Sequence, residues 1–128
     1  MIVFLKFAGA VTLASDGERA GFFSDYYFGT EQPRGGYPMP MVGLVRSLYL
    51  TALDDGVTVP ITVTVYKNGE PTTMQIVVPA NADHGVVYCD LAHPFPILPG
   101  DQVALFISNP GQPDELAWHF NAIAEVTR

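Results

Sequence analysis

The chain has 128 residues and a formal net charge of −7, and only 15% of its residues are charged, against roughly 25% in ordinary soluble domains. That length holds one domain with a single two-layer core. Residues 1–67 carry five Lys or Arg and six Asp or Glu, whereas residues 68–128 carry one cation, Arg128, and seven acids. Phosphate backbones and anionic bilayers are bound by clustered Lys and Arg, so the composition argues against a nucleic-acid or membrane-surface partner. A surface this poor in charge is expected to be covered in part by another protein.

The opening run from Met1 to Ala10 has the look of a short signal peptide, but Lys6 interrupts it, no cationic segment precedes it, and it is too short to span a bilayer. Ile2 to Phe7 reads as a strand instead, with a second short one at Ala10 to Leu13. Residues 14–40 then form a long loop or docking arm. This stretch is rich in aromatic residues, Pro and Gly, and Phe22, Phe23, Tyr26, Tyr27, Phe28, Tyr37 and Met39 are its candidate protein-interface residues, because aromatics and Met are enriched at interface cores. The competing reading is that several of these aromatics fill one end of the core beneath a long loop.

Further strands are predicted at Gly43 to Leu53, Thr58 to Lys67, Thr72 to Val78, Gly85 to Asp90, Gln102 to Ser108 and Glu115 to Val126. They are separated by Asp55-Gly56, Asn68-Gly69, Pro99-Gly100 and Asn109-Pro110-Gly111. The clearest signal is Val57 to Pro79. Valines and Ile61 alternate with Thr, Pro and Tyr, and Asn68-Gly69 supplies the two positive-φ residues of a type I′ turn. A two-residue loop pairs Lys67 with Glu70, Val65 with Thr72, Val63 with Met74, Ile61 with Ile76 and Val59 with Val78, which places every apolar residue on one face. Pro60, lacking an N–H, is expected at a sheet edge or bulge. Leu44, Leu48 and Leu50, then Val103, Leu105 and Ile107, then Leu116, Trp118 and Phe120 complete the proposed core. The fold expected is all-β: an antiparallel β-sandwich or jelly roll of about eight strands spanning residues 1–128.

Signatures of chemistry are sparse. No Gly-x-Ser-x-Gly elbow is present, and Cys89, the only cysteine, is expected to be a buried strand thiol. His84, His93 and His119 lack metal-ligand spacing, and His119 is expected to face solvent. Asp54-Asp55-Gly56 has oxygen ligands suited to Ca²⁺, but reads more simply as a solvated turn. No cofactor, metal or catalytic residue is therefore assigned. Tyr26, Tyr27, Tyr37, Tyr66 and Tyr88 could serve as a stacking platform for sugars, against the plainer alternative of packing between sheets or subunits.

The segments Gly43-Leu44-Val45-Arg46-Ser47-Leu48-Tyr49-Leu50, Val63-Thr64-Val65-Tyr66-Lys67-Asn68-Gly69 and Pro99-Gly100-Asp101-Gln102-Val103-Ala104-Leu105 resemble a β-sandwich pattern of tailed-phage virion proteins. They are also similar to the jelly-roll heads of bacterial spore-surface and collagen-like proteins. The likeness covers residues 41–125 and carries no functional residue over. It implies a trimer-forming, non-enzymatic module on a particle surface, made in a host cytoplasm. A small domain opening at Met1 fits a capsid decoration protein, bound to the major capsid protein or another virion protein, better than a fibre tip. The alternative is a receptor- or carbohydrate-binding module of a tail or appendage.

Overall fold

The computed structural model describes residues 2–13, 20–23, 28–29, 37–55, 57–108 and 116–128, with the backbone alone for 8–13, 20–23, 28–29, 37 and 116–117. Along the described chain the strands are β1 (Ile2–Leu13), β2 (Ala20–Phe23), β3 (Phe28–Gly29), β4 (Tyr37–Pro38), β5 (Gly43–Ala52), β6 (Ile61–Lys67), β7 (Glu70–Val78), β8 (Val87–Asp90), β9 (Phe95–Ile97), β10 (Gln102–Ser108) and β11 (Leu116–Thr127). They form two antiparallel sheets packed as a sandwich. The first has the order β1-β11-β5-β8, with β9 also on β5; the second runs β3-β2-β10-β6-β7, with β4 also on β10.

The inner faces come from period-two alternation. Val45, Leu48 and Leu50 from β5, Trp118 and Phe120 from β11, and Leu5 and Phe7 from β1 meet Ile61, Val63, Val65, Met74, Ile76, Val78, Val103, Leu105 and Ile107 of the second sheet. Burying each large side chain contributes about 1.5–3 kcal/mol before chain entropy is subtracted. The small Ala122 and Ala124 continue the inner face of β11 and are also buried.

Three expectations are corrected. Ala10 to Leu13 is no separate strand: β1 runs unbroken beside β11, from Ile2 opposite Thr127 to Leu13 opposite Leu116. Strand β6 begins at Ile61, so Pro60 and Val59 stand ahead of the ladder. Within residues 14–40, expected as a long loop or docking arm, the described residues supply β2, β3 and β4 to the second sheet, with Phe23 opposite Leu105 and Tyr37 opposite Val103.

The hairpin turn is as expected, with Lys67 opposite Glu70 and φ at Asn68 and Gly69 of 53° and 80°. Beyond the turn the register differs. Tyr66 faces Pro71 but Thr64 faces Gln75, so Val65 alone stands against Thr72, Thr73 and Met74, and Val63 meets Ile76. Two extra residues leave side-chain parity intact, which is why Met74, Ile76 and Val78 remain buried. Thr72 holds the irregularity: its hydroxyl donates to Val65 O at 2.7 Å and accepts from Met74 N at 3.3 Å.

A second irregularity lies on β5. Val45 pairs with Val126 and Ser47 with Glu125, leaving Arg46 as an extra residue. Val45 therefore points into the core, and Leu44, expected there, is only half-buried. At Gly43 a Cβ would lie 2.7 Å from Thr127 O, so only glycine permits this close approach of β5 to β11.

Candidate functional site

The bulge shapes the most distinctive surface of the molecule. Because Arg46 is inserted, Arg46 and Ser47 both belong to the outer side of the first sheet, as bulges commonly re-aim side chains. Arg46 Nε donates to Thr127 Oγ1 at 2.9 Å. Arg46, Ser47, Tyr49, Leu91 and Glu125 line an open dent of about 200 Å³. Ser47 is 4% exposed, and its hydroxyl has no hydrogen-bond partner among the described residues.

Around this dent the outer face carries exposed apolar side chains on all four strands, interspersed with charged and polar ones. Lys6, Ile123, Tyr49 and Cys89 form one cross-strand row, and Phe4, Glu125 and Ser47 form the next. Ile2, Phe4, Tyr49, Val87, Leu91 and Ile123 are exposed. Cys89 is exposed as well, contrary to the expected buried thiol. The reason is Asp90, which takes the inward position: at 7% exposure it accepts from Gln75 N at 3.0 Å and Ala92 N at 2.9 Å, and its Oδ2 lies 2.9 Å from His93 Nδ1. A carboxylate facing inward reverses the parity that apolar patterning suggests for so short a strand.

The two ends of this face differ in charge. Where β5 begins lie Arg46 and, at the end of β11, Arg128; where β5 ends lie Asp54 and Asp55. His119 N donates to Asp54 Oδ2 at 2.6 Å, and the His119 ring reaches the same oxygen. His84 N donates to Asp55 Oδ1 at 2.8 Å, with the His84 ring 3.0 Å from both carboxylate oxygens. The His119 ring and then its N–H hold the Asp54 pKa below the ordinary carboxylate value, and the His84 N–H and ring do the same for Asp55. The bond to Asp55 in turn raises the His84 pKa, with Asp83 and Asp54 adding to it. His119 faces solvent as expected, with about half of its side chain exposed. Among the described residues no three His, Cys, Asp or Glu side chains are grouped to hold a metal ion.

The described members of the sequence-derived interface set other than Met39 lie on neighbouring strands at one side of the second sheet, with Phe23 opposite Phe28. Phe22 and Phe23 lie on β2, Phe28 on β3 and Tyr37 on β4, while Tyr26 and Tyr27 lie outside the described residues. Met39 is 4% exposed within the core, so in the folded chain it is no surface contact. Its backbone explains this: Met39 N donates to Asp101 O at 2.8 Å and Met39 O accepts from Gly100 N at 2.7 Å, which draws the side chain inward. Of the candidate sugar-stacking tyrosines with described side chains, Tyr66 and Tyr88 lie on different sheets. Half-buried Tyr66 packs on Phe106 of the second sheet, with ring centroids 5.1 Å apart, whereas Tyr88 packs against the core from the first sheet. Tyr49, Ile123 and Leu91 were not singled out from sequence; outward parity on β5 and β11 was the signal available for the first two.

Among the described residues no helix is long and apolar enough to cross a membrane. The sequence matches no protein-family model, and comparison with curated proteins finds no match.

Proposed function

We propose that this protein is a non-enzymatic structural module that works by assembly, as a capsid decoration protein on the surface of a virion. The observation that carries the reading is the apolar outer face of the first sheet, where Phe4, Tyr49, Val87, Leu91 and Ile123 stand exposed in a chain with few charges. Strand order supports it. If β2 and β4 are counted as one strand and β8 and β9 as another, the order of the two antiparallel sheets is compatible with a jelly roll, an arrangement that capsid proteins share with lectins and cupins. Symmetric copies would present their β2–β4 side, with Tyr26 and Tyr27 nearby in sequence, to the shell lattice and stabilise it by mass action.

Cosedimentation of the purified chain with shells of its parental particle tests the reading. Saturable occupancy at a fixed ratio to the lattice subunit is expected, and it should fall in a Tyr26→Ala, Tyr27→Ala double variant. Absence of the chain from sedimented shells would overturn it. Deleting Phe22 to Pro40 is a poorer test, because it strips β10 of the backbone partners it has in β2 and β4.

A further inference from the structure

We propose that two copies of this chain pack through the outer faces of their first sheets, about a two-fold axis that runs across the strands. The inference rests on the assembly reading above and names the surface and the symmetry. The face is polar in charge along the strand direction: Arg46 and Arg128, with Glu125 beside them, lie at the end where β5 begins, Asp54 and Asp55 at the end where it leaves, and exposed Tyr49, Ile123 and Val87 lie between, with Lys6 on the edge strand β1 in the same row. Two such faces can pair about an axis along the strands or about one across them. The first sets like charges over like. The second reverses strand direction, so the arginine end of each copy meets the acidic end of the other and the exposed Tyr49, Ile123 and Val87 coincide, with the two Lys6 side chains at the rim on edge strand β1, in a closed, self-complementary contact.

Residue spacing places the rest. An axis crossing β5 between Tyr49 and Thr51 brings the second copy's Leu53, which is exposed, over the dent lined by Arg46, Ser47, Tyr49 and Leu91. Asp54 and Asp55 of that copy then approach Arg46. From Arg46 to Asp54 the face is about 25 Å long, and four strands make it about 19 Å wide. A pair of copies thus covers roughly 1,000 Å², the lower bound for a specific interface. This assigns two-fold rather than three-fold symmetry to the basic contact. It also brings exposed Cys89, the only cysteine, beside the axis in both copies.

The test uses the purified chain without shells. A short bis-maleimide is expected to link Cys89 to Cys89 and trap a product of two chains, and sedimentation velocity should show a dimer. Arg46→Glu and Asp55→Arg should each shift the chain to monomer, and the double variant should regain the dimer. Tyr49→Glu should also abolish it, with circular dichroism confirming the fold; the two charge variants, at exposed positions, stand in if that variant unfolds. A monomer, or an oligomer whose mass none of these substitutions changes, would overturn the pairing. A dimer that ignores shells overturns the decoration reading alone, and a monomer that coats them overturns the pairing alone.

Discussion

Asp90 shows how one side chain closes the sandwich. β7 is the edge of the second sheet, and the Gln75 N–H on it is satisfied by a carboxylate carried on β8 of the first. Burial opposes the charge on Asp90, but the N–H groups of Ala92 and Gln75 and the His93 ring outweigh it and hold the pKa below the ordinary carboxylate value. A depressed folded-state pKa contributes stability that is present above the unfolded value and lost as pH falls through the folded one. Denaturant melts should therefore show the wild type losing stability as the pH falls below about 4. Asp90→Ala leaves the Gln75 N–H unsatisfied and should cost about 1–3 kcal/mol at pH 7, with a flatter acid limb. Equal stability of variant and wild type at pH 7 would refute the role. Its partners Ala92 and His93 are local, but the one that ties the two sheets together, Gln75, lies 15 residues upstream on the other sheet, and no sequence pattern announces it.

At the scale of elements, patterning specifies which face is buried but fixes register only to within an even number of residues. The Val57 to Pro79 hairpin illustrates it: turn and buried face follow from the sequence, while the two-residue excess opposite Val65 leaves Ile61, Val63, Val65, Met74, Ile76 and Val78 inside and so leaves no trace in the alternation. The turn is legible because its geometry is local. Even there a long-range partner was hidden: Asn68 Nδ2 donates to Asp101 Oδ1 at 2.9 Å, and Asn68 Oδ1 accepts from Gln102 N at 2.8 Å, so the Asn-Gly and Gly-Asp turns form one hydrogen-bonded unit. Replacing Gly69, at φ 80°, with Val should cost about 1–2 kcal/mol, read as a lower chemical-denaturation midpoint. The single-residue bulge at Arg46 behaves differently, because one residue changes parity. Deleting Arg46 should leave Val45 opposite Val126 in an unbroken ladder and preserve cooperative melting. Deleting Tyr49 should invert the faces of β5 and abolish the near-ultraviolet circular dichroism of a packed core. Similar melts for the two deletions would contradict this account of the strand.

For the whole molecule, low charge and abundant turns pointed to a sandwich that needs a partner, and the exposed outer face of the first sheet is where that need is concentrated. The site was half legible. Outward parity on β5 and β11 could be read, but the charge polarity of the face arises only when Arg46, Arg128, Asp54 and Asp55 are brought onto one sheet, and the aromatic stretch drew attention to the other sheet instead. If copies pair through this face, association stabilises the folded state by mass action, so the midpoint of thermal unfolding should rise with protein concentration. A midpoint constant over a hundredfold dilution would argue against pairing. The most direct measurement is the molar mass of the purified chain by light scattering through a dilution series. Twice the 13.9 kDa of one chain is expected, falling to a single chain on dilution and in Arg46→Glu; a mass of 13.9 kDa at every concentration would rule out pairing through this face.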